Sequence, residues 1–432
     1  MNYVSTRGQS PAVGIDTALA AGLAPDGGLY VPATLPRFSI DDFDGCDTLP
    51  AIAARLLRPF FAGSTLESAL VELCEEAFDF PAPLRSLDAH TSMLELFHGP
   101  TAAFKDFAAR FLAGSLARLR APGAPEATVL VATSGDTGAA VAAAFHRRPG
   151  FRVVVLYPDG RVSPRQAHQL GAFGDNVHAL RVAGSFDDCQ ALVKRALGDE
   201  ALKRNRPLTS ANSISLGRWL PQMGYYVAAS LAHWRARGEA PGFVVPTGNL
   251  GNALAAILAK TCGLPIGDIV LATNANRVLA DVLAGRGYAP RASVATLANA
   301  MDVGSPSNFE RLRWLYPRDA DLPAWLSADA VGDADIAATI RSAWREYGIA
   351  VCPHTATALC VLRRLRESGD TRDLAIVATA HPAKFESIVE PLVDAKVDVP
   401  PALAALLARP ARAEPLAADY AALRARLLAA DA

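Results

Sequence analysis

Lysine is scarce in this 432-residue chain: only six lysines stand among 42 basic residues, and the rest are arginine. Arginine stays protonated and forms no imine, so any amine chemistry must use one of those six positions. Charge of one sign is also missing. The net charge is -1 and no block of like charge stands out, which excludes the electrostatic footprint of a nucleic-acid or anionic-membrane partner and points to a small molecule. The six cysteines, Cys46, Cys74, Cys189, Cys262, Cys352 and Cys360, are scattered with no C-x-x-C pair. That argues against a zinc knuckle or a disulfide framework and fits a reducing compartment. No uninterrupted apolar run of about 20 residues occurs, and Met1 to Arg7 lacks a charged-then-apolar leader, so a cytoplasmic protein is expected. There is no G-x-x-x-x-G-K-[ST] phosphate loop and no H-E-x-x-H zinc helix, and the eight histidines are dispersed. No metal is expected.

What is present suits a large α/β core, with 51% hydrophobic residues in a length that allows roughly two or three domains. Two domains around a cleft are expected. Residues 1–85 read as a proline-punctuated N-terminal segment in which Pro25-Asp26-Gly27-Gly28 turns into a short extended run, with a helix over Ala51 to Phe60. Residues 86–240 hold a lysine-bearing helix and a first glycine loop, in a region that includes the smaller domain. Residues 241–395 hold a second glycine loop in a larger region, and 396–432 read as a helical tail.

In the second segment Phe104, Phe107, Ala108, Phe111, Leu112 and Leu119 share one helical face, with Lys105 at its edge, in the first turn after Pro100-Thr101. There, burial and the positive helix end both favour a neutral amine. Alternatively Thr101 caps the helix and Lys105 only snorkels. Thr128–Ala132 reads as a strand, Thr133 to Gly138 as a polar glycine loop, and Ala139–Phe145 as a helix. With the strand Val153–Tyr157 they form a βαβ unit, hence parallel pairing. A single helix is expected from Gln190 to Lys203, and another from Asn212 through Arg218 to Tyr226. Phe243–Val245, Pro246 to Asn252 and Ala253–Lys260 repeat the strand, loop and helix pattern. Ala375–Thr379 is an apolar strand whose end lies where open α/β sheets bind ligands.

Each glycine loop opens a helix and offers amides to an anion. A dinucleotide fold competes, since Asp159 follows Gly138 by roughly 20 residues, but neither loop has the initial G-x-G of that fingerprint. An activatable lysine, two anion cups and a strand-end hydroxyl are the set that pyridoxal 5'-phosphate needs. Asp106 and Arg110, spaced i,i+4, read as a surface ion pair.

His98-Gly99-Pro100-Thr101, Phe104-Lys105-Asp106-Phe107, Ser134-Gly135-Asp136-Thr137-Gly138, Asn212-Ser213-Ile214, Gly248-Asn249 with Gly251, and Thr379 through Phe385 resemble the successive motifs of threonine synthases, in that family's order. The likeness extends from Tyr3-Val4-Ser5-Thr6-Arg7 to about residue 390. It implies a fold-type II, tryptophan synthase β-like α/β enzyme, with parallel-rich open sheets in two domains and an N-terminal extension. It implies a pyridoxal-phosphate-dependent lyase that turns O-phospho-L-homoserine and water into L-threonine and phosphate. By the same resemblance Lys105 carries the cofactor as an imine, and Gly248, Asn249, Leu250, Gly251 and Asn252 hold the cofactor phosphate. Thr379 meets the ring nitrogen, and Ser134, Gly135, Asp136, Thr137, Asn212, Ser213 and Arg218 face the substrate. Asp136 stands where many relatives of this fold carry asparagine beside the ring hydroxyl. Arg110, Arg161 and Arg218 compete for the substrate phosphate. Another amino-acid lyase or β-replacement enzyme, or a non-catalytic amino-acid-binding relative, would share much of this pattern.

Overall fold

The computed structural model describes residues 1–429. Among them the strands are β1 (Tyr3–Ser5), β2 (Tyr30–Pro32), β3 (Leu84–Ser86), β4 (Thr91–Glu95), β5 (Ala127–Ala132), β6 (Phe151–Pro158), β7 (Val177–Ala183), β8 (Leu208–Ser210), β9 (Gly242–Pro246), β10 (Ile269–Thr273), β11 (Leu326–Ala330), β12 (Leu374–Ala378) and β13 (Glu414–Ala417). They form two open sheets and one small ribbon. The six-stranded sheet runs β11-β10-β9-β12-β4-β3, parallel except for the antiparallel edge strand β3. The five-stranded sheet runs β13-β7-β6-β5-β8 and is parallel throughout. β1 and β2 pair antiparallel, and the Tyr3 hydroxyl donates to the Phe60 carbonyl at 2.6 Å, tying this ribbon to the helix Leu49–Leu57 and the 3-10 turn after it.

Apolar residues alternate along the central strands because both faces are covered. Val129, Val131, Val153 and Val155 enter the largest core, shared with the N-terminal segment and the Lys105–Leu119 helix. Leu130, Val154 and Leu156 enter a second core beneath the helices Phe186–Leu197 and Tyr420–Leu428. Each such fully buried valine or leucine is worth about 1.5–3 kcal/mol relative to exposure.

β3 and β4 belong with β9 to β12, so the chain enters the larger sheet before it builds the smaller one. The tail is not purely helical: between the helices Pro401–Leu407 and Tyr420–Leu428, β13 pairs with β7 and closes the edge of the smaller sheet. Two expected helices are broken. Gly198 ends Phe186–Leu197, and Asp199 caps the next helix by accepting from the Leu202 amide at 2.9 Å. Asn212 to Tyr226 is a loop, then the short helix Leu216–Trp219, a 3-10 turn Leu220–Gln222 and the helix Met223–Arg237. Pro221 has no amide for the helical ladder, which accounts for the change of winding.

Among the described residues no helix is long and apolar enough to cross a membrane. None of their His, Cys, Asp and Glu side chains form a group of three or more placed to hold a metal ion.

Candidate active site

The C-terminal ends of β5, β9 and β12 converge on a cleft of about 930 Å³, its open mouth included. Lys105 opens the Lys105–Leu119 helix on one wall. Its approach is fastened to the end of β12: the Phe104 amide donates to the Thr379 carbonyl at 2.8 Å, and the His381 amide donates to the Ala102 carbonyl at 3.0 Å. The lysine amine lies 4.6 Å from the centre of the Phe104 ring. Burial pushes it down, the Asp136 charge opposes that, and the Arg218 and Lys384 cations add to it, leaving the amine at about 8. Lys105 is half-buried and lines the cleft rather than the outer surface.

Thr101 is not a helix cap. Its amide and hydroxyl donate to the two oxygens of Asp106, at 2.9 and 2.6 Å, so Asp106 is buried beneath the turn. The Asp106–Arg110 surface pair does not form. Arg110 reaches the other way, to the Glu76 and Ala77 carbonyls and to Asp79 at 2.6 Å, because Asp106 turns inward to satisfy the amide of its own turn. Burial raises the Asp106 carboxyl to about 6 against the lowering effect of the Thr101 bonds.

The second glycine loop, Pro246 to Asn252, lies opposite. A Cβ on Gly248 would sit 2.6 Å from the Met301 Cα and 2.7 Å from its carbonyl oxygen, so only glycine passes there. Leu250 adopts φ 65°, a left-handed residue that turns the chain into the helix Gly251–Thr261. The first amides of that helix have no intrahelical partner and point outward. The Asn252 side-chain Oδ1 accepts from the Tyr225 and Tyr226 hydroxyls at 2.7 and 2.8 Å, while its buried Nδ2 has no partner. Asn249 does different work. Its Nδ2 donates to Ser213 Oγ at 2.7 Å and its Oδ1 accepts from the Ser307 amide, joining the loop to its neighbours.

The first glycine loop leaves β5 through Thr133, whose hydroxyl accepts from the Gly135 and Gly138 amides at 2.9 and 2.8 Å. Gly135 adopts φ 130°, which a side chain rarely tolerates. Ser134, Asp136 and Thr137 line the cleft. Asp136 is buried. Its Oδ1 accepts from Gln166 Nε2 at 2.9 Å and from Lys384 Nζ at 2.7 Å. Burial alone would raise this carboxyl, but Lys384 and Lys105 outweigh it and hold it at about 2. Its engagement with those two side chains leaves Oδ1 committed away from a substrate.

Asn212 spends its amide on the backbone of Ala132, donating from Nδ2 at 2.9 Å and accepting at Oδ1 at 3.3 Å, and so extends the end of β5. Arg218 is the arginine the structure brings to the cleft. It is buried, bonds the Ala211 carbonyl through Nη1, and keeps an unpartnered Nε. Burial lowers it to about 10, with Asp106 partly opposing. Arg161 is exposed at the turn after β6, and neither it nor Arg110 lines the cleft.

Three contributors escaped the sequence reading. His354, at the start of the helix Pro353–Glu367, lines the cleft and accepts the Ala300 amide at Nε2 at 3.1 Å, which assigns the ring proton to Nδ1. Burial lowers it to about 4, so it is neutral. Gln222 lines the cleft from the 3-10 turn after Trp219. Lys384 lies in the 3-10 turn Pro382–Phe385 after β12, and its place in the Thr379–Phe385 motif was the only signal for it.

Comparison with known proteins agrees with this geometry. A model described as pyridoxal-phosphate dependent enzyme matches residues 82–382, one for the threonine synthase N terminus matches 2–78, and one for the threonine synthase C-terminal region matches 355–426. A threonine synthase of Serratia marcescens is 39% identical, covering 99% of each chain. The crystal structure of threonine synthase from Escherichia coli superposes with a TM-score of 0.90 at 38% identity, and a pyridoxal-phosphate-bound threonine synthase from Brucella melitensis with 0.90 at 35%, each covering 99% of both chains. The fold thus recurs over 99% of the chain, and the chain belongs to the threonine synthase family of pyridoxal-phosphate-dependent enzymes.

Proposed function

We propose that this protein is a threonine synthase, converting O-phospho-L-homoserine and water to L-threonine and inorganic phosphate with pyridoxal 5'-phosphate. The observation that carries this is Arg218: a buried guanidinium with a free Nε and no carboxylate partner, within electrostatic reach of the Lys105 amine. Burying such a cation without a partner is costly, and an anionic substrate group repays it.

The residues present fit the cofactor. Lys105 offers an amine that is partly neutral at physiological pH. The Gly248 cradle, the left-handed Leu250 and the unpartnered Asn252 Nδ2 form a donor-rich pocket at a helix start, suited to its phosphate. Thr379 supplies a neutral hydroxyl at the end of β12 for the ring nitrogen, which favours an unprotonated nitrogen. Bound there, pyridoxal phosphate supplies an electron sink for charge developing on the substrate's carbon chain.

The chain's own groups do the rest. Lys105 Nζ takes a proton from the substrate's Cα and then one from Cβ, and later returns protons to Cγ and to Cα. The amides of Ser134, Asp136 and Thr137, which leave the Gly135 amide to Thr133, orient the substrate carboxylate at the start of the Asp136–Phe145 helix. Arg218 and Ser213 hold the substrate phosphate until the Cγ–O bond breaks, and the phosphate departs with the bridging oxygen. Cγ then gains a proton and Cβ gains the hydroxyl of water. The six free cysteines, five of them buried, suit a reducing cytoplasm, where we place the enzyme.

Reaction in ¹⁸O-labelled water tests this reading. Elimination and water addition put the label in the threonine hydroxyl and none in the phosphate. Label in the phosphate, with homoserine as product, would mean simple ester hydrolysis and would contradict it.

A further inference from the structure

We propose that Lys384 is a positioning residue for Lys105 that acts through Asp136: it claims the Asp136 carboxylate as its own counter-ion and so keeps that carboxylate from pairing with the Lys105 amine. The inference rests on Lys105 being the cofactor-bearing amine.

The geometry is specific. Lys384 and Asp136 come from opposite sheets, one from the turn after β12 and the other from the loop after β5, and they meet at 2.7 Å. Their side chains are only 1% and 5% exposed. Lys384 Nζ also donates to the Thr101 carbonyl at 2.8 Å, in the turn that leads into the Lys105 helix, and Gln169 Nε2 donates to the same carbonyl at 3.2 Å. The backbone of the Lys384 turn is pinned as well, since Ser163 Oγ donates to the Lys384 carbonyl at 2.6 Å and Arg165 Nη1 to the Ala383 carbonyl at 2.7 Å. Gln166, from the helix that Ser163 caps, holds Asp136 Oδ1 from a second direction. Lys384 is therefore fixed at the carboxylate by contacts to three separate elements.

Two consequences explain why a buried ion pair belongs here. A lone carboxylate in the first glycine loop would repel the anionic substrate that this loop receives, and Lys384 neutralises it. A lone carboxylate would also draw a proton onto Lys105, whose chemistry requires the free amine. The charged and titratable groups that act on Lys105 are Asp136 from the first loop, Arg218 from the helix Leu216–Trp219, Lys384 from the β12 exit and His354 from the helix Pro353–Glu367. Asp136 alone among them favours the protonated amine.

The test measures the rate at which full-length, cofactor-stripped protein takes up pyridoxal phosphate covalently, followed by visible absorbance from about pH 6 to 10, with circular dichroism as a check of folding. Lys384→Met is expected to raise the pH midpoint of uptake by about one unit, which is about tenfold slower uptake below both midpoints. Asp136→Asn is expected to lower the midpoint, and removal of Lys384 in the Asp136→Asn background to shift it less than removal in wild type does, because the carboxylate through which Lys384 acts is gone; equal shifts in the two backgrounds would mean direct repulsion alone and overturn the proposal. Opposite shifts are not what a loss of packing produces. An unchanged or lowered midpoint in Lys384→Met overturns the proposal. If that variant does not fold, Lys384→Gln takes its place under the same outcomes: a raised midpoint supports the proposal, and an unchanged or lowered one overturns it. Wild-type protein that takes up no cofactor would instead overturn the underlying reading of Lys105.

Discussion

The Phe104 amide donates to the Thr379 carbonyl at 2.8 Å, so the residue before the lysine proposed to carry the cofactor is bonded to the residue proposed at the cofactor's ring nitrogen. Ala103 and Ala380 form a β-bridge beside it. One backbone contact thus sets the two ends of the proposed cofactor site against each other, and the Thr379 side chain is free for a ligand while its carbonyl is occupied. Thr379→Val keeps the shape and the backbone bond but removes the hydroxyl. We expect kcat/KM about tenfold lower, the cost of one hydrogen bond of about 1–1.5 kcal/mol, with the melting temperature little changed and activity restored in Thr379→Ser. Steady-state kinetics on the three proteins checks this.

Gly248 admits no side chain, because a Cβ would meet the Met301 backbone on the far side of the loop. Gly248→Ala is expected to push the loop off Met301, weaken pyridoxal-phosphate binding at least about tenfold, and cost about 1–3 kcal/mol of stability, the usual range for overpacking. Spectroscopic titration with the cofactor and urea unfolding of the cofactor-free protein measure the two effects separately.

Arg218 is buried with one backbone carbonyl and a free Nε. Arg218→Met is expected to lower kcat/KM for O-phospho-L-homoserine about 100-fold, the upper end for a lost charge-assisted hydrogen bond of about 3 kcal/mol. It should leave the cofactor-free protein as stable as before or more so, since a buried cation with no carboxylate partner is removed. Arg218→Lys should not rescue, because an ammonium lacks the guanidinium fork. Loss of stability in Arg218→Met would assign the residue to packing instead.

Asp106 gives a pH signature. Its carboxyl is raised by burial to about 6 in the folded protein, above the ordinary aspartate value. Between about pH 4 and 6 the folded state therefore binds more protons than the unfolded state, so this group lowers stability as pH rises through that window, by up to about 3 kcal/mol in all. Asp106→Asn can keep both contacts to Thr101 by accepting from its amide and donating to its hydroxyl, and it does not titrate. The stability difference, variant minus wild type, is expected to grow from about pH 4 to about pH 6 and then level off. Asp136 acts in the opposite sense and lower: its carboxyl is depressed to about 2, so its stabilisation is complete above the ordinary aspartate value and is lost as pH falls towards 2. Urea unfolding at several pH values separates the two.

The parts of the site built from contiguous residues were legible in the sequence. The strand, glycine loop and helix at 127–145 and 242–261, and the end of β12 at Thr379, follow from local periodicity and turn chemistry. What was not legible depends on distant pairing. β8 and β13 are three and four residues long and are strands only because β5 and β7 accept them. Asp106 carries the same spacing to Arg110 as a surface pair would, and only the inward Thr101 turn reveals it as buried. Lys384 sits in an identified motif, yet its partner Asp136 opens the helix that follows β5 of the other sheet, and no local pattern joins them.

The central claim is that Lys105 is the amine to which the cofactor is bound. Borohydride reduction of the pyridoxal-phosphate-loaded protein, followed by proteolysis and mass spectrometry of the peptides, tests it most directly. The predicted result is a single phosphopyridoxyl group on the peptide containing Phe104-Lys105-Asp106. The label on Lys384, the buried lysine paired with Asp136, or on no lysine at all, would contradict it.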